Sequence, residues 1–414
     1  MILIIIFVLI FLLFALSVAG IKFNLTNPLS LLWGTWLFSI GICVTKIFSV
    51  YPSLSVKCYL FIFSFLIITS LAFVVGKSLP IKFTDTKYNY LRLFYSFNIL
   101  FMVVIFAYVI TIIKLGLPPL FSGSVRSQYY LSNGGELLYL LVYPCFFLGL
   151  FILYNYKKHP FNGYIYTQLL ILLFVIFTRG NKMTIFAIIL MFCFYWGKQI
   201  SLAKLTTLLL LIIAIFLLVS VTYKKNIQNL SALKVARINI TGFRLPSNYY
   251  FLYDPLIYMS SNIDNLNSLI NTRLSGIGLG TLSFKGIYQI IAVFNPSITD
   301  LSRQTLINAN ASLTVPQFST YSGLGLLYYD FGPLISLETF MLIGFTSGAL
   351  YNKNSMNLTL MFFSFILFQT LALSFFSFYL GNLEVITNII FMIIIDLYAR
   401  NAENNADLLG GYYE

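Results

Sequence analysis

Charged side chains are scarce in this sequence, and histidine is almost absent. Lys, Arg, Asp and Glu together make up 9% of the 414 residues, and His159 is the one histidine. Because soluble domains carry roughly 25% charged residues, this scarcity excludes an ordinary water-soluble fold. The charges that remain are mostly basic, with a formal net charge of +13.

The sequence also lacks the common motifs of phosphate and metal chemistry. It has no GxxxxGK[ST] loop, no HExxH and no Asp-x-Asp pair, which excludes the nucleotide-binding and zinc-protease classes that use the first two. The four cysteines, Cys43, Cys58, Cys145 and Cys193, lie in or beside apolar runs without CxxC spacing, so we interpret them as small hydrophobic residues. No metal, no cofactor and no nucleic-acid partner is expected.

Apolar runs of membrane-spanning length dominate the chain, and 59% of the residues are hydrophobic. A transmembrane helix needs about 20 apolar residues, and helices satisfy their backbone polar groups inside hydrocarbon. We therefore predict an all-α, polytopic integral membrane protein, in which the first run is retained rather than cleaved. The eleven predicted spans are 2–19, 29–49, 57–76, 93–115, 137–154, 163–178, 183–197, 203–223, 333–351, 357–378 and 384–399.

The basic residues of the short connections predict the orientation. One alternating set of loops carries most of them, and such loops stay in the cytoplasm. The N-terminus is then outside and the C-terminus inside. The predicted units are 1–223 (spans one to eight), a large outer loop at 224–332 that contains short helices, 333–400 (three spans), and a polar tail at 401–414, interpreted as disordered and cytoplasmic.

Basic residues also occur in the outer connections, where short loops should be poor in charge. Arg179 and Lys182 lie in the short turn TRGNK, and they are either ligands or side chains that extend to the interface without a ligand. The long loop carries Arg244, Arg273 and Arg303. Such a surface suits a diphosphate or, alternatively, plain adhesion to anionic lipid.

Aromatic residues accompany these charges in the long loop. Tyr249 and Tyr250 lie among Ser and Asn residues, where their rings either stack on sugars or form the usual interfacial belt. The segment Phe284–Phe294 is apolar but too short to span a bilayer. We predict that it is a re-entrant or interfacial helix.

A family resemblance rests on the segment 319–351. The matching residues are Tyr329, Asp330, Phe331, Gly332, Gly344, Gly348 and Tyr351, together with the GLPPL loop that leads to Arg126, the TRGNK turn and GLGTLSF at 278–284. This pattern resembles the O-antigen (Wzy-type) and related oligosaccharide repeat unit polymerases. In layout the resemblance covers most of the chain.

The resemblance implies a metal-independent, GT-C-like membrane glycosyltransferase of the bacterial inner membrane. Such an enzyme moves a growing glycan from undecaprenyl diphosphate onto a fresh lipid-linked repeat unit, on the outer face, with a chain-length regulator protein as a further partner. The chemistry requires a stabilised diphosphate and removal of a proton from the acceptor hydroxyl. For the diphosphate we predict Arg126, Arg179 and Arg273, with Arg244, Arg303 and Lys182 in reserve.

The acidic candidates each have a structural alternative. Asp330 is the predicted general base, but it is also placed to cap the N-terminus of a helix. Glu338, eight residues later, is a second catalytic candidate or a buried anchor between helices. Tyr329, Tyr249 and Tyr250 are the predicted sugar-binding residues. Gly344 and Gly348 form a GxxxG pattern assigned to helix packing, and Asp396 with Arg400 forms an i,i+4 ion pair that needs no function.

Three other functions stay open at the level of sequence. An O-antigen ligase-like transferase relies on an outer-face histidine, whereas His159 lies in a loop predicted to be cytoplasmic. A lipid-linked oligosaccharide flippase or transporter needs basic residues inside the spans, which are nearly free of them. A non-catalytic sensor or scaffold is the third alternative.

Overall fold

The computed structural model describes residues 22–81, 83, 86–118, 121, 139–157, 159–179, 182–197, 200–201, 230–315, 318–351 and 357–400. The predicted spans at 2–19 and 203–223, the predicted tail at 401–414 and Arg126 lie outside these residues. All structural statements below concern the described part of the chain.

The described chain is helical. The first six α-helices are α1 (Pro28–Val44), α2 (Val56–Ser78), α3 (Tyr90–Leu115), α4 (Val142–Asn155), α5 (Asn162–Arg179) and α6 (Lys182–Trp196). The next seven are α7 (Leu230–Thr241), α8 (Tyr253–Thr272), α9 (Lys285–Phe294), α10 (Ser297–Asn310), α11 (Gly323–Ala349), α12 (Leu358–Ala372) and α13 (Leu383–Ala399). Short 3-10 helices cover Ser247–Leu252 and Tyr379–Gly381, and two-residue strands β1 (Lys22–Phe23) and β2 (Ile200–Ser201) pair in antiparallel fashion.

Four helices are long and apolar enough to cross a membrane, namely α2, α3, α5 and α11. Further apolar helices, among them α1, α4 and α12, are shorter. The chain is therefore a helical, membrane-type protein, and helices lie over each predicted span that falls within the described residues. The full set of about eleven spans remains a prediction.

Side chains in the connections set where these helices begin. Asn27, Ser55, Asn89, Ser322 and Asn357 each accept a hydrogen bond from a backbone N–H of the first turn that follows. Short polar side chains at this position satisfy amides that have no partner inside the helix. Four of these residues lie in predicted loops, and Asn357 is the first residue of the predicted span at 357–378.

The closest helix pair joins α2 to α11 through glycine. A Cβ atom on Gly344 would overlap the carbonyl oxygen of Thr69, and one on Gly348 would overlap that of Phe73. Gly76 of α2 meets the carbonyl of Phe345 in the same way. Backbones approach this closely only where the side chain is a hydrogen atom, so the packing role predicted for GxxxG is confirmed.

Helix α11 begins ten residues before the predicted span at 333–351, and that span corresponds to the second of its two helical segments. Ser322 caps the helix, which then runs through Asp330 and bends at Gly332, where φ is 85° and ψ is 178°. Glycine adopts this conformation without a steric cost, and Pro333 follows as the first residue of the second helical segment. Asp330 consequently lies inside a helix, and its alternative as the N-cap of this helix was wrong.

Contacts between connections agree with the predicted grouping of loops by side. Strand β1 pairs with β2, and Tyr88 forms a β-bridge with Arg400. On the other face, Phe48 forms a bridge with Phe243. Each contact joins two connections predicted to share one side of the membrane.

The predicted ion pair at the end of α13 is present and has further partners. Arg400 donates to the Asp396 carboxylate at 2.6 Å, and the Tyr88 hydroxyl donates to its other oxygen at 2.5 Å. The Leu358 N–H in turn donates to the Tyr88 hydroxyl at 2.6 Å. These bonds fasten the starts of α3 and α12 to the end of α13.

Helix α8, within the predicted outer loop, is polar yet buried. Its Asn265 side chain donates to the carbonyls of Phe318 and Thr320, and its Asn267 amide oxygen accepts from the Ser55 N–H. Both amides are at most 1% exposed. Since buried amides are stable only with partners, α8 is the element that attaches two connections to the helical bundle.

Asp264 on α8 predicts a pH-dependent stability. Its side chain is 3% exposed and accepts a hydrogen bond from the Cys43 thiol at 3.7 Å. Burial raises the pKa of this carboxyl from 3.8 to about 8, although the nearby Lys46 charge and the Cys43 thiol act to lower it. The folded protein therefore holds a proton that the unfolded chain releases near pH 4.

Asp264 makes its full contribution to the free energy of unfolding below pH 4, and this contribution is lost as the pH rises toward 8. The loss is at most about 1.4 kcal/mol per pH unit. We expect the thermal midpoint of the detergent-solubilised protein to fall between pH 5 and pH 8, and Asp264→Asn to flatten that fall. Asp300→Asn, which removes an exposed carboxylate, is the matched control. An unchanged pH slope in Asp264→Asn would contradict the assignment.

Candidate functional site

Two of the sequence motifs meet at the Asp330 side chain. Its Oδ2 atom accepts hydrogen bonds from the backbone N–H of Leu282 at 3.2 Å and of Ser283 at 2.6 Å. The Ile277 N–H donates to the Tyr329 carbonyl at 2.9 Å, so the two segments run side by side. The Asp-Phe-Gly element and the GLGTLSF turn therefore form one unit immediately before α9.

Glycine makes this contact possible. A Cβ on Gly278 would overlap the Oδ1 atom of Asp330, and Gly280 has a φ of 86° that side chains rarely tolerate. Gly286 and Gly381 serve a second contact, because a Cβ on either would overlap the backbone of the other segment, at Leu383 and at Ser283. The turn is thereby pressed against both Asp330 and the start of α13.

The start of α13 places Glu384 in a group of polar side chains. The carboxylate accepts a hydrogen bond from Asn382 and lies close enough to Lys285, the first residue of α9, for charge interaction. The hydroxyls of Tyr143 and Tyr379 also lie within its electrostatic range. Three helix starts, those of α4, α9 and α13, thus contribute to one half-buried group.

Arg179 is held at the end of α5 near the same helix starts. The side chain is 0% exposed, and its guanidinium carbon lies 3.6 Å from the centre of the Tyr139 ring. Tyr139 interacts in turn with Tyr143. The neighbouring Thr178 hydroxyl hydrogen-bonds to that of Tyr108 at 2.7 Å. A guanidinium over an aromatic face at this depth is a cation–π contact largely removed from water.

The remaining predicted diphosphate ligands lie apart from this group or outside the described side chains. Arg273 ends α8 in a left-handed conformation, with φ of 56°, and its side chain is exposed. Arg244 and Arg303 are exposed as well. Arg126 and the side chain of Lys182 lie outside the part of the chain that the structure describes. The structure therefore connects Arg179 to the group through Tyr139 and Tyr143, and it leaves the described loop arginines at the surface.

The other predicted site residues take varied positions. Tyr329 is 2% exposed, and its hydroxyl donates to the Thr305 carbonyl at 3.4 Å. Tyr249 is 49% exposed, whereas Tyr250 is half-buried with its ring near Phe243. Tyr249 is thus the one of the three whose ring is open to solvent in this structure.

Glu338 lies on the surface of α11. Its side chain is exposed, so the alternative of a buried anchor was wrong. The expected shared helical face with Asp330 depended on an unbroken helix, and the bend at Gly332 interrupts it. The unbroken helix that the shared face required is therefore absent, and the catalytic roles of Asp330 and Glu338 stay predictions.

Sequence reasoning missed Glu384, Lys285 and the tyrosines around them. A usable signal was present, since a carboxylate at the end of an apolar run costs free energy and therefore marks a candidate site. That rule was applied to Glu338 and applies equally to Glu384. The proximity of Lys285 to Glu384 had no signal, because Glu384 lies ninety-nine positions after Lys285 in sequence.

No family model matches the sequence, no curated protein resembles it significantly, and no solved structure matches the fold.

Proposed function

We propose that this chain is a metal-independent membrane glycosyltransferase that polymerises oligosaccharide repeat units carried on undecaprenyl diphosphate. It would act on the outer face of the bacterial inner membrane, with about eleven GT-C-like spans, an outer N-terminus and a cytoplasmic C-terminus. Its partners are the lipid-linked glycans, the bilayer and a chain-length regulator protein. The product would be an O-antigen or capsular polysaccharide.

The observation that carries the proposal is the meeting of acidic and basic groups at one end of the helices. Asp330 and the GLGTLSF turn hold the start of α9 against the start of α13, which brings the exposed Lys285 within electrostatic range of Glu384, and Arg179 ends α5. Glycosyl transfer from a diphosphate needs cations for the leaving group and a carboxylate for the acceptor proton. This end of the bundle supplies both types of group, next to apolar helices suited to a lipid carrier.

The position of histidine favours a polymerase over an O-antigen ligase-like transferase. His159 precedes α5 and stacks on Tyr90 with ring centroids 3.4 Å apart. Arg179 ends the same 18-residue helix, which puts about 25 Å between the two. The histidine is thus remote from the acidic and basic group.

Charge placement also favours surface chemistry over a flippase or transporter. Among the described residues, Arg179 is the buried basic side chain, and it lies at a helix end rather than midway along the bundle. A passage for a diphosphate would need cations along its length.

The experiment is reconstitution of the purified chain in nanodiscs. Lipid-linked repeat units would be extracted from cells of the source organism in which the chain is deleted. We expect a ladder of longer glycans, with one undecaprenyl diphosphate released for each new bond. In the deletion cells, surface glycan should remain at single-unit length.

Other outcomes identify the other functions. Loss of surface glycan altogether would indicate a flippase, and an unchanged length distribution would indicate a scaffold. Either of these, or an inactive reconstituted protein that binds its lipid substrate, would overturn the proposed function.

A further inference from the structure

We infer that Glu384, and not Asp330, is the general base of the transfer, and that Asp330 is a positioning residue that holds the turn before α9. This inference rests on the proposed function. It concerns which of two carboxylates at the same end of the bundle removes the proton from the acceptor sugar.

Asp330 is poorly placed to meet a sugar hydroxyl. The residue is 1% exposed, and its Oδ2 atom accepts two backbone hydrogen bonds from Leu282 and Ser283. Its Oδ1 atom faces Gly278 so closely that a single added carbon would overlap it. An acceptor hydroxyl has no approach to this carboxylate unless the turn separates from α11.

Glu384 has the opposite environment. Its side chain is half-buried, and side chains from separate segments converge on it: Lys285 from α9, Tyr143 from α4, and Tyr379 with Asn382 from the connection before α13. An acidic residue in the first turn of a helix is stabilised by the helix dipole alone. The dipole does not account for the tyrosines and the lysine, which suit a sugar and a phosphate.

The step balances with these groups. The acceptor hydroxyl oxygen attacks the anomeric carbon of the donor glycan, and its proton passes to the Glu384 carboxylate. The bond from that carbon to the diphosphate oxygen breaks, and undecaprenyl diphosphate leaves with the electron pair. Lys285, which lies within electrostatic range of Glu384, opposes the negative charge that grows on the diphosphate.

Asp330 then affects the transfer indirectly, through the position of α9. By holding the Leu282 and Ser283 amides it fixes the start of α9 against the start of α13, and so keeps the Lys285 charge within electrostatic range of Glu384. Loss of this contact would disturb the position of Lys285 without removing the base.

The test compares Glu384→Gln and Glu384→Asp with wild type in nanodiscs, supplied with the lipid-linked units from the deletion cells. Wild-type polymerisation is measured first, because its absence would refute the function rather than the role of Glu384. We expect Glu384→Gln to lower the rate by about 100-fold or more and to lose the acidic limb of the pH–rate profile. Glu384→Asp should recover part of the rate with a displaced limb.

Binding and folding are measured in the same samples. Undecaprenyl diphosphate should bind Glu384→Gln within about twofold of wild type, since the base does not hold the leaving group. Asp300→Asn, an exposed carboxylate on α10, is the matched control and should keep the wild-type rate.

Two results would overturn the inference. One is a Glu384→Gln protein that polymerises at the wild-type rate with an unchanged pH profile. The other is a rate loss fully explained by less folded protein, with Glu384→Asp showing the wild-type pH profile. Should Glu384→Gln fail to fold, the pH limb of Glu384→Asp decides alone.

Discussion

Replacement of Arg179 by alanine is expected to lower the polymerisation rate by about 100- to 1,000-fold, the cost of removing one group that stabilises charge in a transition state. The guanidinium is fully covered and stacked on Tyr139. Water and salt therefore screen its charge little, and its field reaches the departing diphosphate with less attenuation than that of a surface arginine. Surface glycan should shorten to the single-unit length.

The Arg179→Lys variant distinguishes the effect of the positive charge from the effect of the planar guanidinium group. Lysine keeps the positive charge but loses the planar group that stacks on the Tyr139 ring, so we expect an intermediate rate. The measurement is the rate of diphosphate release in nanodiscs, with the amount of folded protein determined by size-exclusion chromatography.

Arg92 is the matched control for this prediction. Its guanidinium also lies over a tyrosine, Tyr398, at 5.6 Å, and it donates to the Tyr398 carbonyl. It occupies the start of α3, at the end of the molecule where Asp396 and Arg400 pair. Arg92→Ala should therefore polymerise at the wild-type rate, and an equal loss in both variants would refute a specific role for Arg179.

Apolar run length was enough to locate most of the helices. The run at 57–76 became α2 at Val56–Ser78, and the run at 384–399 became α13 at Leu383–Ala399. At α11, run length located the second helical segment, which begins at Pro333, but not the first, which begins at Gly323 on the other side of the Gly332-Pro333 pair. Glycine at positive φ allows helix on both sides of the bend, so a pair that stops many helices bends this one.

Composition gives no sign that α8 is buried. A stretch rich in serine and asparagine predicts a solvated loop, yet Ser260, Asn265 and Asn267 are buried. These side chains bind carbonyls and amides in distant connections, as Asn265 does at Phe318. Only the tertiary arrangement supplies those partners, and no local pattern encodes it.

For the same reason, only part of the site could be predicted from the sequence. Asp330 and Arg179 were identified from their own positions, one in a motif and the other as a charge in a short outer turn. The partners of Asp330 lie 47 and 48 residues away, and three α-helices, α10, α11 and α12, separate Lys285 from Glu384 in the chain. Side chains that depend on such long-range contacts have no signal in a single sequence.

The second large effect is expected in the packing of α2 against α11. Gly348→Ala should lower the free energy of unfolding by about 3 kcal/mol, at the upper end for overpacked sites. The new Cβ would overlap the Phe73 carbonyl and lie 2.9 Å from the Lys77 nitrogen. These are backbone atoms of α2, which cannot rotate away as the end of a side chain can, so the two helices must separate. A lower thermal midpoint in detergent and less protein in the membrane are the measurements.

Gly41 provides a control in which the same substitution has the opposite sign. It lies in α1, and a Cβ there meets nothing within 4 Å. Gly41→Ala gains helix propensity of up to about 1 kcal/mol and should hold or raise the thermal midpoint. If Gly348→Ala and Gly41→Ala have the same thermal midpoint, close backbone contact does not stabilise the α2–α11 pair. If the midpoint is lowered only in Gly348→Ala, the stability of the α2–α11 pair depends on the glycine contact. The comparison isolates this contact because both variants replace a helical glycine with alanine.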